Sequence, residues 1–263
     1  MAISIAREVL RRYPTLRSTW PVEQARAWRT RRSWREQPRR MASWYRDAID
    51  MRTRICMSNL EVPEAPTLCQ PVTVLLTLFD SDGGELAARR YPLRRNASLV
   101  VETSDLLPPA RRGHVMSGQV RIDFEGPQLG SSRAYLHWYN AHSLTSSHEK
   151  YGVTIPAVGG YWTVPNVQDS DEYSVRLAVT NLDTAPYSSD LTLKDDESHE
   201  LHARVDLPPN GSRFLRLDEL FGNPRGFLHG QPGVLYFGNN RQPAMYYYFV
   251  HNARLGTWRA QHL

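Results

Sequence analysis

The sequence predicts an all-β fold: tandem duplicated antiparallel β-sandwiches preceded by a partly helical or irregular N-terminal arm. Three observations carry this reading. RICMSNL at 54–60 returns as RLAVTNL at 176–182, an offset of 122. Short runs of alternating apolar and polar residues are separated by turns rich in Gly, Pro, Asn and Asp, the pattern of a sandwich or barrel. The charge is also split: residues 1–46 hold 12 Arg and 3 Glu, net +9, whereas the other 217 residues carry 20 basic and 24 acidic groups, net −4.

The expected organisation is an arm over 1–46, a first sandwich over 47–150, a connector over 151–164 and a second sandwich over 165–263. No run of about 18 apolar residues marks a transmembrane helix. Arg7, Arg11 and Arg12 break the apolar core that a secretory signal needs. A cytoplasmic protein is expected, with peripheral membrane contact as an extension of that reading. Two cysteines, Cys56 and Cys69, make no disulfide scaffold. They read as a buried strand cysteine and a loop cysteine, with a bridge closing a hairpin as the alternative.

The arm contains Trp20, Trp28, Trp34 and Trp44 among its arginines. Ser4 caps a short helix over 4–12, which Pro14 follows, and a second helix is expected over 22–35. The candidate partner-binding residues are Trp20, Trp28, Arg29, Arg31, Arg32, Trp34, Arg35, Arg39 and Arg40. Arg makes bidentate and stacked contacts that Lys cannot. Three readings follow. The arm packs on its own sandwich or a sister subunit; it lies on an anionic membrane with Trp at headgroup level; or it binds nucleic acid, with Arg on phosphate and Trp on bases. With no named DNA- or RNA-reading motif present, the last would be weakly sequence-specific.

In the first unit, 53–60 reads as a strand, and 71–80 as a second one with Val72, Val74 and Leu76 on one face. Asp-Gly within 80–85 marks a hairpin turn rather than a calcium loop, whose spacing it lacks. Strands follow over 86–92, 98–103, 118–126 and 134–143. In the last of these, Tyr135, His137 and Tyr139 share one face, and Leu136, Trp138 and Asn140 the other.

The second unit repeats this order. NGSRFLRLDELF at 210–221 answers NASLVVETSDLL at 96–107, His229 and Gly233 answer His114 and Gly118, and YYYFVHNARLGT at 246–257 answers AYLHWYNAHSLT at 134–145. Ordered self-similarity at a near-constant period indicates duplication. The offset falls from 122 to 114, which places the first unit's extra residues in the loop carrying Cys69. A pseudo-two-fold pair, mimicking a homodimer within one chain, is the expected arrangement.

Residues 204–254 resemble the small β-sandwich of the microbial sensory rhodopsin transducer family. The shared features are the Leu207-Pro208-Pro209 turn, a strand over 213–217 running into Asp218-Glu219-Leu220, a strand over 233–237 reaching Asn239-Asn240, and an apolar strand ending in His251 and Arg254. The resemblance implies a soluble, non-enzymatic, oligomer-forming sandwich that binds a partner, at a membrane or away from one. This chain differs in being duplicated and in carrying the basic arm.

No Gly-x-Ser-x-Gly elbow, phosphate loop or dinucleotide fingerprint occurs, so neither catalytic residues nor a cofactor are expected. His199 and His202 form HELH rather than HExxH. As a strand pair they point to opposite faces. His137, His142, His148 and His251 crowd the aromatic strand ends, but read as hydrogen-bonded residues rather than metal ligands. The Asn-x-Ser sites at 96 and 210 read as turns. Trp138, Tyr139, Tyr247, Tyr248 and Trp258 are candidate ligand or interface aromatics, placed either on sugar rings or in the core and inter-unit contact. The expected function is a non-catalytic accessory or scaffold subunit that docks through its arm on a protein complex, membrane-bound or not. A carbohydrate-binding sandwich and a weakly specific nucleic-acid binder are the alternatives. Homo-oligomerisation fits the first of these readings.

Overall fold

Alternation along a strand sorts side chains to two faces, and here the sorted strands build two sandwiches of identical topology. The computed structural model describes residues 40–61, 69–126, 131–149, 162–237 and 244–262. In the first sandwich, one sheet has the order β1 (Arg40–Asp47), β6 (Met116–Glu125), β3 (Val72–Phe79), β4 (Glu85–Leu93). Its partner sheet runs β5 (Ala97–Glu102), β2 (Arg52–Leu60), β7 (Ser131–Tyr139), β8 (Leu144–Glu149). The second sandwich repeats both orders. One sheet is β9 (Trp162–Val167), β14 (Gly233–Phe237), β11 (Tyr187–Lys194), β12 (Glu200–Leu207). The other is β13 (Ser212–Arg216), β10 (Tyr173–Asn181), β15 (Ala244–Asn252), β16 (Thr257–His262). Among the described residues every strand pairing is antiparallel.

Each sandwich has its own apolar interior. Ile55, Met57, Val74, Leu76, Val120 and Leu136 fill the first, and Leu177, Val179, Leu191, Leu235, Phe237 and Tyr246 the second. Side chains of this size each contribute about 1.5–3 kcal/mol on burial. The offset between units falls from 122 at β2 and β10 to 115 at β3 and β11, so the first unit's extra residues lie in the Cys69 loop.

The repeated asparagines are structural ties. Asn59 and Asn181, both fully buried, lie in the last two positions of β2 and β10. Asn59 Nδ2 donates to Gln70 O at 2.7 Å; Asn181 Nδ2 donates to Ala185 O at 2.7 Å and Pro208 O at 2.9 Å. Asn96 and Asn210 both sit in the left-handed region, at φ 54° and 55°. Asn tolerates that conformation better than most residues, which accounts for the two Asn-x-Ser turns.

Two expectations are corrected. Residues 40–46, read as the end of the arm, form an edge strand of the first sandwich, registered on β6 from Arg40–Asp123 to Asp47–Met116. The strand escapes a period-two reading because Met41 through Tyr45 are all buried, and a strand covered on both faces loses its alternation. The two sandwiches are also not related by a two-fold contact. In an isologous pair, equivalent surfaces would meet. Instead the β1/β8 edge of the first sandwich presses into the outer face of the β13-β10-β15-β16 sheet of the second. That contact is head-to-tail.

Candidate functional site

The inter-unit contact shows what the outer face of one of these sheets can do. Phe214, Ala178, Tyr247, Phe249 and Trp258 point away from the second core and join the first. Trp44 stacks on Phe214 with ring centroids 4.6 Å apart and approaches Phe249 at 5.2 Å. Trp138 meets Tyr247 edge-on at 5.0 Å. Tyr247 enters the mouth between β1 and β8, where its hydroxyl and Ser43 Oγ are 2.6 Å apart. Trp258 Nε1 donates to Asp50 O at 3.0 Å, and Gln119 Nε2 to Asn181 O at 2.7 Å. Arg176 is half-buried over the Phe214 and Trp258 rings, 5.4 Å from each. Burial lowers its pKa, with the Arg46 charge adding to the effect and Asp50 opposing it.

Strand register places every one of these positions on the first sandwich as well. Arg54, Cys56, Val100, Tyr135, His137 and Leu144 occupy the places of Arg176, Ala178, Phe214, Tyr247, Phe249 and Trp258. On this face of the β5-β2-β7-β8 sheet Arg54, Cys56, Tyr135, His137 and Tyr139 are half-buried and two apolar positions are exposed. Val100 is 56% exposed and Leu144 59%, whereas Trp258 is 5% exposed. At one end of the face, Arg54 lies 4.8 Å over the Tyr139 ring and bonds Glu102, to which Tyr139 also donates at 2.7 Å. Cys56 Sγ is 3.7 Å from His137 Nδ1. Burial pushes the thiol pKa up, and burial followed by the Arg54 charge pushes His137 down. A thiol shifted that way is no activated nucleophile. Cys56 and Cys69 are both free, and it is the loop cysteine, Cys69, that is fully buried, 3.5 Å from Asn59 O.

The sequence candidates fall in three groups. Trp20, Trp28, Arg29, Arg31, Arg32, Trp34, Arg35 and Arg39 lie outside the described residues, and Arg40 opens β1 in an ion pair with Asp123. Trp138, Tyr247 and Trp258 are buried at the inter-unit contact, and Tyr248 in the second core. Trp138, Tyr247 and Trp258 present no ring face for a sugar; Tyr248 borders a cleft, and Tyr139 alone of that set is partly exposed, beneath Arg54. His137 is on the open face, His142 packs near Gly256 and His251 lies 4.4 Å from the Trp258 ring. Among the described residues no group of three or more His, Cys, Asp or Glu is placed to hold a metal, and no helix is long and apolar enough to cross a membrane.

Two concavities in the second unit had no sequence signal, because their linings meet only in the fold. One, of about 220 Å³, is the β9/β16 mouth, lined by Pro165, Asn166, Tyr248, Val250, Arg259 and Ala260. It is the counterpart of the mouth that Tyr247 fills in the first sandwich. The other, of about 310 Å³, lies between the 169–175 segment and residues 216–225. There Arg225 reaches Asp171 at 2.5 Å and Asp169 at 3.6 Å, and Arg216 pairs with Asp218. Burial raises the Asp169 pKa, against the pull of Arg225. Two arginines and three carboxylates thus largely neutralise one another.

Comparison with protein-family models and with curated proteins finds no match. Among solved structures, the chain is similar to a Bacteroides uniformis β-glucuronidase 2 covalently bound to cyclophellitol-6-carboxylate aziridine, at 9% identity and TM-score 0.17. It is also similar to a Bacteroides uniformis β-glucuronidase, at 10% identity and TM-score 0.17. Each likeness covers 85% of this chain and 26% of the other. A likeness of this size transfers neither reaction nor residues.

Proposed function

We propose that this chain is a non-catalytic accessory or scaffold subunit, a rigid double sandwich that joins a larger assembly through exposed docking surfaces. The observation that carries this reading is the open outer face of β5-β2-β7-β8. The same face on the second sandwich buries Ala178, Tyr247, Phe249 and Trp258 against the first, whereas on the first sandwich it exposes Val100 and Leu144 beside Tyr139 and Arg54. Exposed apolar residues rimmed by polar ones are the make-up of an interaction site. The basic arm supplies a second adhesive element: three tryptophans and ten arginines against three glutamates precede Arg40. The resemblance of 204–254 to a partner-binding sandwich family agrees in kind.

The test is co-purification from the native source, with soluble and membrane fractions kept apart. It compares the full chain, a chain beginning at Arg40, and the full chain carrying Val100→Glu and Leu144→Glu. Loss of a specific partner or of the membrane fraction with either change supports docking and tells the arm from the face. Identical, partner-free behaviour of all three proteins would overturn the proposal.

A further inference from the structure

Each sandwich has a mouth between equivalent edge strands, and the two mouths differ in what lines them. In the first, at β1/β8, the Trp138 ring stands 5.0 Å from that of Tyr247, whose hydroxyl lies 2.6 Å from Ser43 Oγ. In the second, at β9/β16, a cleft of about 220 Å³ lies between the sheets. Register shows what opened it. Val250 stands opposite Val175 as Trp138 stands opposite Thr53, so a valine takes the place of an indole. Pro165 and Asn166, at a register shift in β9, take the place of Trp44. Asn166 adopts the left-handed region there, at φ 60°, a conformation that Asn tolerates better than most residues. Two residues against one on the partner strand make a bulge, which forms one wall of the cleft.

The same divergence brought polar groups to the opening. Tyr248 takes the place of Leu136, and Arg259 that of Thr145. Tyr248 is 6% exposed, and among the described residues neither its hydroxyl nor the Arg259 guanidinium has a hydrogen-bond or ion-pair partner. Burial, followed by the Asp169 charge, pushes the Tyr248 pKa up. The phenol therefore keeps its proton and is a donor. A donor buried to that degree without a partner is costly unless something in the cleft accepts from it. Pro165, Val250 and Ala260 make the remaining lining apolar. The larger concavity at residues 216–225 is different in kind, since Asp169, Asp171 and Asp218 already hold its arginines.

We propose that the β9/β16 cleft binds a small aromatic carboxylate, with its ring in the space that Val250 leaves, its carboxylate on Arg259 and the Tyr248 hydroxyl as a second donor. Each part of the ligand answers a part of the cleft. The apolar lining suits a ring, as the other mouth accommodates the ring of Tyr247 beside Trp138. A guanidinium presents two parallel N–H donors to a carboxylate, which a neutral group cannot match. Asn166 completes the lining with an amide that both donates and accepts. The nearby Asp169 is itself paired, 3.6 Å from Arg225. A cleft of about 220 Å³ is smaller than the roughly 300–1,000 Å³ of sites for drug-sized ligands, which restricts the occupant to a single ring with a short acid arm. The site is separate from the basic arm and from the outer face of β5-β2-β7-β8, and depends on neither as a docking surface.

Titration calorimetry of the full chain tests the proposal, with benzoate and phenylacetate as probes, benzyl alcohol as the uncharged control and acetate as the control without a ring. The expected result is saturable binding of at least one ring carboxylate, with both controls weaker by about tenfold or more. Arg259→Gln, at an exposed position, should weaken binding about tenfold or more. Tyr248→Phe keeps the ring and removes only the hydroxyl, and should weaken it by about three- to tenfold. Val250→Trp restores the residue of the first mouth and should abolish binding, with circular dichroism confirming its fold. The first two variants decide the matter should Val250→Trp not fold. No saturable binding of either ring carboxylate would overturn the proposal. So would binding that Arg259→Gln and Tyr248→Phe leave unchanged, which would place the ligand elsewhere. Benzyl alcohol or acetate binding as tightly as benzoate would overturn the ligand class.

Discussion

The outer faces of β13-β10-β15-β16 and β5-β2-β7-β8 share strand order, register and parentage, yet one is core and the other surface. Phe214, Phe249 and Trp258 on the first correspond to Val100, His137 and Leu144 on the second. Three large rings exchanged for smaller or polar groups turn a face that needs cover into one that tolerates water. The edge that supplies the cover diverged as well. β1 presents Trp44 to Phe214 and Phe249, whereas β9 offers Pro165. Duplication therefore produced two equal sandwiches, and a few outward positions decided how they join.

The largest test of this contrast is Trp44→Ala. Trp44 is fully buried between the units, and its loss should destabilise by about 3–5 kcal/mol in chemical denaturation. Val100→Ala, at the place of its partner Phe214 but on the open face, should change stability by less than about 0.5 kcal/mol. Equal effects would mean that the first sandwich's outer face is covered as well.

A smaller effect is expected at a turn. Gly83 has φ +83°, and a Cβ there would lie 1.9 Å from Pro209 O of the second unit. Gly113 has φ +81° with nothing within 4 Å. Both Ala substitutions carry left-handed strain of about 1–2 kcal/mol, and only Gly83→Ala adds an overpacking cost of about 1–3 kcal/mol. Matched unfolding curves for the two variants would show that the 80–84 turn does not bear on the second unit.

The smallest expected effect is on pH dependence. Burial and then the Arg176 charge hold His251 below the ordinary histidine value of 6.5. The folded state binds that proton less readily than the unfolded chain does. Its contribution to stability is full above 6.5 and is lost as pH falls through the lower folded value. His251→Gln should therefore flatten the fall in melting temperature between about pH 7.5 and about pH 5.5. His137 on the open face shifts in the same direction, so an unchanged slope in His251→Gln would place the acid sensitivity on the open face instead.

Much of the fold was legible because its signals are local. Val72, Val74 and Leu76 alternate; Asp-Gly turns the β3–β4 hairpin; Asn59/Asn181 and Asn96/Asn210 recur because each pair does one local job. Tyr139 and Trp138 are equally good candidates in the sequence, and only their burial separates a partly open residue from a core one. AMYYYFV in β15 lacks polar alternation and MASWY in β1 interrupts its apolar run only with Ser43, the mark of strands covered on both faces. Both strands contribute to the inter-unit contact, through Ser43 with Tyr247 and Trp44 with Phe249.

The sequence by itself determined the duplication, the order of the strands and which side of most strands faces a core. Those follow from period-two patterning and from turn residues whose backbone preferences are intrinsic. Tertiary structure alone decided that residues 40–46 belong to a sheet, that the units meet head-to-tail and that Tyr247 rather than Tyr135 is buried. These outcomes depend on long-range contacts such as Trp44 with Phe214 and Ser43 with Tyr247, 204 residues apart, which no local pattern encodes.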